Sequence, residues 1–306
     1  HHSQNEQINS RELFGALASS LALADTETCE QNPARSTSCP EIPGYEILSE
    51  LGCGGMGVVY EARQINLNRR VALKTLRSQL DVSPEQRLRF QAEAETIARL
   101  HHPNIIEIHE LGSQDNQPWF ALELMEGGTL SERIRAGLPT PKQAASLVLT
   151  LAEAIQYAHE QGIIHRDLKP ANILFETRGT FGDQNDHEPR ITDFGLARHQ
   201  DSGLDLTRSG IMLGTPAYVA PEQARARHDQ IGPATDVHAL GVLLYELTTG
   251  GRPFWGATEL DVLDQVVMEE PQSPRRLNAQ IPLDLETICL KCLQKEPAKR
   301  YGSAQA

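Results

Sequence analysis

The sequence predicts an α+β fold in two lobes, a small β-rich lobe carrying one main helix and a larger helical lobe. Its 306 residues suffice for two packed bodies rather than one. Strand-like patterns crowd the stretch from Tyr45 to Leu124 around a single helical one, and helical patterns dominate the remainder of the chain. Between them an apolar strand runs into Met125-Glu126-Gly127-Gly128, the glycine-softened connector that a hinge requires.

Composition sets the outer bounds. A content of 39% hydrophobic and 23% charged residues describes a soluble globular chain. The net charge of −13 argues against a surface built for nucleic acid or anionic lipid, and it disfavours an acidic protein substrate. Five irregularly spaced cysteines do not make a disulfide framework and point to a reducing compartment. No stretch approaches the roughly 20 apolar residues of a membrane-spanning helix.

The segment Leu13 to Ala24 follows Arg11 and ends Ala22-Leu23-Ala24, a faint echo of a signal peptide. Glu12, Ser19 and Ser20 oppose that reading. Leu13, Leu17, Leu21 and Ala24 share one helical stripe, with Asn9 placed as N-cap and Glu12 three residues on. A short amphipathic docking helix is expected here, followed by a Thr-, Ser-, Glu-, Asn- and Pro-rich linker over 26–43. The chain opens on His1-His2 without an initiator Met and stops at Ala306 where a further helix begins. It therefore reads as a fragment of a longer protein.

Tyr45-Glu46-Ile47-Leu48 alternates as a strand and leads into Gly52-Cys53-Gly54-Gly55-Met56-Gly57. Val58-Val59-Tyr60-Glu61-Ala62 comes next and is β-branched, not the helix a dinucleotide fold requires. The glycines thus belong to a strand-turn-strand hairpin. Without Cβ atoms, Gly52, Gly54 and Gly57 let backbone amides lie close over phosphate oxygens. Val71-Ala72-Leu73-Lys74 is a short strand ending in an ammonium. Over Glu85 to Leu100, Phe90, Glu93, Ile97 and Leu100 form one helical face. A carboxylate on that apolar face needs a cation, because an unpaired buried charge is costly. Lys74 is the expected partner of Glu93; Glu95 lies off the stripe. Asn116 to Leu124 reads as a turn and an apolar strand, whose connector offers backbone groups to an adenine edge.

In the second lobe Thr140-Pro141-Lys142-Gln143 is a helix start, with Thr as N-cap, Pro at N1 and Gln at N3. The helix is expected to run to about Gln161, where Gly162 stops it. Then comes His165-Arg166-Asp167-Leu168-Lys169-Pro170-Ala171-Asn172, and, after strand-like Arg190-Ile191-Thr192, Asp193-Phe194-Gly195. These spacings suit phosphoryl transfer. Asp167 can take a proton from a hydroxyl, Lys169 can neutralise a phosphate, and Asn172 and Asp193 are hard oxygen ligands for Mg²⁺. Thr235-Asp236 is expected to open the apolar helix Val237 to Leu247, ended by Gly250-Gly251. Cys289 and Cys292 fall on the helical pattern Leu285, Ile288, Cys289, Cys292, Leu293. No second pair stands at zinc-ligand spacing, so core thiols are expected. Cys53 reads as a small filler.

The order of G-x-G-x-x-G-x-V, V-A-L-K, a helix glutamate, H-R-D-L-K-P-A-N, D-F-G and Ala220-Pro221-Glu222 resembles the eukaryotic-type protein kinases. The wording HHPNI, GTPAYVAPEQ and EPAKRY is most similar to their bacterial Ser/Thr members. The resemblance covers about Tyr45 to Ser303. It implies a small lobe over about 45–124, a hinge over about 124–128 and a large lobe from 129 to 306, with 1–44 as an extension. It implies ATP with Mg²⁺, or Mn²⁺ in its place, and protein Ser/Thr substrates. A second kinase domain would be the partner in trans-autophosphorylation, and the location cytoplasmic, either free or as the cytoplasmic part of a longer membrane-anchored protein.

Carried over by residue, Lys74 would hold the α- and β-phosphates and pair with Glu93. Asp167 would deprotonate the acceptor hydroxyl, Lys169 would sit on the γ-phosphate, and Asn172 and Asp193 would ligate the metal. Leu51, Gly52, Gly54 and Gly57 would cover the nucleotide. Leu122 would guard the adenine pocket, Glu123 and Met125 would bond adenine, and Val59, Ala72 and Leu174 would sandwich it. Ile97, His165 and Phe194 would stack as a hydrophobic spine, making His165 a packing residue and not a base. Asp236 would hold catalytic-loop amides, and Glu222 would pair with Arg300. Lys169 and Thr215 fit Ser/Thr rather than Tyr specificity. Arg166 would receive a phosphate placed on the loop between Asp193 and Glu222, with Thr207 and Ser209 as its sites. The stretch Glu176 to Glu188 is longer than the family's usual hairpin and reads as a solvated excursion. A nucleotide-binding scaffold that has lost catalysis is the alternative, and it would lack one of these groups.

Overall fold

The computed structural model describes residues 40–54, 57–76, 94–114, 117–181, 188–194 and 216–306. Strands β1 (Tyr45–Gly54) and β2 (Gly57–Gln64) form the glycine hairpin, with Gly54 paired to Gly57. With β3 (Arg69–Leu76), β4 (Ile108–Gln114) and β5 (Gln117–Leu122) they make an antiparallel sheet ordered β1-β2-β3-β5-β4. Gly57 is required by the sheet itself, since a Cβ there would lie 1.9 Å from the Thr75 carbonyl oxygen. A Cβ on Gly52 would meet nothing within 4 Å among the described residues.

Period-two alternation divides β3 between the two faces of the sheet. Val71 and Leu73 pack with Ile42, Tyr45, Ala62, Trp119 and Ala121 on one face. Leu76 packs with Ala94 and Phe120 on the other, beside Leu111 and Leu122. Ala72 and Lys74 alternate onto this second face, which looks toward the large lobe. Strand β4 is an addition to the sequence reading. None of its residues is fully buried, so an edge position blurs the alternation that would announce it. Residues 94–97 are helical and the turn ends at Leu100, in line with the last part of the expected helix. Glu93 lies outside the described residues, and Glu95 is exposed.

The large lobe begins with α1 (Leu130–Ala136) and α2 (Pro141–Glu160). Thr140 and Gln143 close the expected capping box on α2, and Gly162 follows its end with φ +77°. Two three-residue strands, β6 (Ile173–Phe175) and β7 (Pro189–Ile191), form a hairpin beneath the cleft. Helices α3 (Pro233–Thr249), α4 (Glu259–Met268) and α5 (Leu283–Cys292) complete the lobe. Helix α3 opens at Pro233 rather than at Thr235, because Thr235 turns its hydroxyl back to accept the Gly232 amide and to donate to Glu222. Every residue of α3 from Thr235 to Thr248 is buried, as befits a helix without a polar face. Cys289 and Cys292 are buried against it, with Cys292 pressed on Gly241. Ile288 departs from the expected apolar stripe and is 42% exposed.

His238 in α3 is fully buried, and neither ring nitrogen has a hydrogen-bond partner among the described residues. Burial, helped by Arg300 and Lys295, pushes its imidazole well below the usual 6.5. The unfolded chain then binds the proton that the folded chain refuses, so stability rises with pH and is lost as pH falls below about 6.5. Replacing the ring by an apolar one leaves no polar atom unpaired. His238→Phe is therefore expected to keep its stability at neutral pH and to flatten the fall in urea midpoint between about pH 7 and 5.

Candidate active site

The second-lobe half of the site is a loop hung from α3. The Asp236 carboxylate is 1% exposed and accepts the backbone N–H groups of His165 and Arg166, each at 2.8 Å. His159 of α2 donates to the same carboxylate through Nε2 at 2.8 Å. His165 Nδ1 accepts the Asp167 amide at 3.2 Å and Nε2 donates to the Thr192 carbonyl at 3.0 Å. Both ring nitrogens are thus committed to backbone, and the ring stacks on Phe194 with centroids 4.6 Å apart. Phe194 and Ile97 lie in one apolar cluster. His165 packs and braces; it has no nitrogen left for proton transfer.

Arg166 adopts φ +67°, a left-handed backbone that costs a non-glycine residue free energy and persists only where surroundings enforce it. Asp236 on its amide and Gln223 Nε2 on its carbonyl, at 2.9 Å, are those surroundings. The strain aims Asp167 into the cleft. Asp167 Oδ2 accepts Lys169 Nζ at 2.9 Å and Asn172 Nδ2 at 3.2 Å. Asn172 Nδ2 also donates to the Asp167 carbonyl at 2.8 Å, which leaves the amide oxygen of Asn172 as a hard donor.

Asp193 likewise has positive φ, +62°, and its Oδ1 accepts Lys74 Nζ at 2.6 Å from the other lobe. Burial raises the Asp193 carboxyl, but the Lys74 ammonium, with His165 and Lys169, outweighs burial and holds it below the usual carboxylate value. An ionised carboxylate beside a carbonyl-type oxygen is a donor set that fits Mg²⁺. The structure therefore brings Lys74, Asp167, Lys169, Asn172 and Asp193 together.

The residues expected around adenine lie on both lobes. Val59 pairs with Lys74 across β2 and β3, and Ala72 pairs with Leu122 across β3 and β5. Leu174 lies in β6 and bridges to Thr129 beyond the connector. Val59, Ala72, Leu122 and Leu174 are all partly exposed, and Leu51 is 51% exposed. Within the connector the Glu123 amide donates to the Glu107 carbonyl at 3.0 Å, so this amide is already committed. The side chain of Glu123 pairs with Arg190, a contact the sequence reading did not foresee. Met125 is partly exposed in the same connector. His159, Gln223 and Thr192 are further supports missed from sequence. Nothing in their local patterns marks them, because each acts across a long chain separation. Thr207, Ser209 and Thr215 lie outside the described residues, as do parts of the Glu176–Glu188 stretch.

Behind the site, Glu222 and Arg300 form a bidentate pair at 2.7 and 2.8 Å. Their side chains are 1% and 0% exposed. Arg300 also donates to the carbonyls of Ala234 and Gln294, at 2.7 and 2.8 Å.

The comparisons with known proteins agree with this geometry. A family model described as protein kinase domain matches residues 45–306. A probable serine/threonine-protein kinase of Streptomyces coelicolor is 38% identical over 266 residues, covering 85% of this chain and 38% of the relative. The serine/threonine-protein kinase PknB of Mycobacterium leprae is 37% identical over 265 residues, again 85% of this chain and 41% of the relative. The chain thus spans well under half the length of these relatives. The crystal structure of the PknI kinase domain of Mycobacterium tuberculosis superposes with a TM-score of 0.66 at 26% identity, covering 87% of this chain and 94% of that one. The scaffold alternative loses its support, since no described catalytic position is vacant. The chain belongs to the protein kinase domain family.

Proposed function

We propose that this domain transfers the γ-phosphoryl group of ATP to Ser and Thr hydroxyls of proteins and is switched on by phosphorylation of its own activation segment. The observation that carries the reading is the single bonded chain from Lys169 and Asn172 to Asp167, with Asp193 held opposite by Lys74. Asp167 takes the proton of the acceptor hydroxyl, and Lys169 offsets charge on the phosphoryl oxygens. Asn172 and Asp193 would hold Mg²⁺, which would supply charge neutralisation at the phosphates. Glu93 would complete the grip of Lys74, the hinge carbonyl of Glu123 and the backbone of Met125 would take the adenine edge, and Thr215 would bridge Asp167 and Lys169.

Regulation rests on Arg166. Its buried Nε meets no acceptor among the described residues. A cation held so close to the catalytic aspartate is completed by an anion, and a phosphate on Thr207 or Ser209 supplies one. A second copy of the domain would deliver that phosphate in trans. We place the domain in the cytoplasm, where ATP is available and the thiols of Cys53, Cys289 and Cys292 stay reduced. No helix of the described residues is long and apolar enough to cross a membrane.

Wild-type protein and Asp167→Asn, made in cells and compared by mass spectrometry, test the regulatory part. Phosphate is expected on Thr207 or Ser209 in the wild type and on neither in the variant. An active wild type carrying phosphate at neither position would end this account of regulation.

A further inference from the structure

We propose that Arg190 is a positioning residue for the transfer reaction, tying the adenine-side connector to the strand that delivers Asp193. The inference rests on the kinase reading above. It starts from β7, only three residues long yet held on every side. Ile173 and Leu174 of β6 pair with Ile191 and Arg190. The Ile191 amide donates to the Asn104 carbonyl at 2.8 Å, the Ile191 carbonyl accepts the Ile106 amide at 2.9 Å, and Asn104 Nδ2 donates to the Pro189 carbonyl at 2.9 Å. The next residue, Thr192, donates its amide to the Asn172 carbonyl at 2.9 Å and accepts from His165. Asp193 follows. Small displacements of β7 are therefore passed to both expected metal ligands.

Arg190 sits at the middle of this strand, and its Nη1 donates to Glu123 Oε2. Glu123 is the first residue after β5, in the connector expected to meet the adenine edge. The pair thus spans the two segments whose spacing sets where the nucleotide base lies relative to Asp193. The backbone ties the two segments indirectly, through the bonds of Glu123 to Glu107 and of Ile106 to Ile191, and the Arg190–Glu123 pair adds a direct tie. A recess of about 200 Å³ opens beside Arg190, lined by Leu100, His101, His102, Ile105 and Glu107. A void gives the atoms around it no contact through which to resist displacement. The Arg190–Glu123 pair joins the connector to β7 side chain to side chain, at the edge of this recess. Exposures of 26% and 28% leave it partly shielded, so it is stronger than a fully solvated pair and still open to mutation without leaving a buried charge.

The test uses the chain with Arg190→Met, Glu123→Gln, both together, and the exchanged pair Arg190→Glu with Glu123→Arg. The readouts are kcat, KM for ATP, affinity for an unhydrolysable ATP analogue, and the melting temperature. Each single variant is expected to raise KM for ATP and weaken analogue binding about fivefold and to lower kcat, with the melting temperature nearly unchanged. The double variant should be no worse than either single one, and the exchanged pair should regain much of the loss. Unaltered kinetics in folded single variants would overturn the proposal. So would losses that simply add, or a rise in kcat, which would make the pair a restraint. A wild type that binds the analogue without transferring phosphate would count against the kinase reading, and the analogue affinities of the four variants would still decide the role of the pair.

Discussion

Asp167→Asn lowers kcat for phosphoryl transfer to a generic basic protein by at least about 10²-fold, the lower end of what a positioned general base contributes. The substitution keeps the size of the side chain and an oxygen to accept Asn172 Nδ2, while removing the basic carboxylate and the ion pair with Lys169. Asp167 is partly exposed, so little of its environment is disturbed. Nucleotide affinity and melting temperature should accordingly stay near wild type. Steady-state assays with labelled ATP, beside calorimetric ATP binding, check both halves. A variant that retained more than about a tenth of wild-type kcat would remove Asp167 from the role of proton acceptor.

Arg300→Met is expected to destabilise the domain by about 3–5 kcal/mol, the cost of stripping one partner from a buried ion pair. Glu222 would be left at 1% exposure with the Thr235 hydroxyl and its own backbone amide, and the carbonyls of Ala234 and Gln294 would lose the Arg300 donor. Burial raises the Glu222 carboxyl, but Arg300 and Thr235 together hold it below its usual 4.5. Its contribution is therefore present above that value and fades as pH falls through the lower, folded one. Removing both charges, in Glu222→Met with Arg300→Met, should cost less than the sum of the single losses, because neither charge is left stranded. Urea denaturation of the four proteins at neutral pH measures these differences.

Legibility in the sequence followed the range over which each interaction acts. The capping box of α2, the Gly162 stop and the glycine hairpin are decided within a few residues, and all three could be read directly. Two other capping boxes, Thr129 with Glu132 and Thr258 with Asp261, carry the same local signal and are additions to the sequence reading. The supports of the catalytic loop are different in kind. His159 meets Asp236 across 77 residues, Gln223 meets Arg166 across 57, and Arg190 meets Glu123 across 67. No local periodicity encodes such meetings. The motif residues were legible because resemblance to a family carries three-dimensional information that spacing alone does not. Asp236 and Arg300 were found that way; His159 and Arg190, outside the motifs, were not.

Asp236 bears on which parts of the chain can vary. One carboxylate on a buried helix fixes the backbone of the residues that do the chemistry, and it never needs to meet a substrate. Selection for activity therefore acts inside the core. Positions on α2 and α3 that a survey of burial would class as free to exchange among apolar residues are, at His159 and Asp236, bound to a specific hydrogen-bonding side chain. A lineage that abandoned catalysis could relax those two positions while keeping its fold.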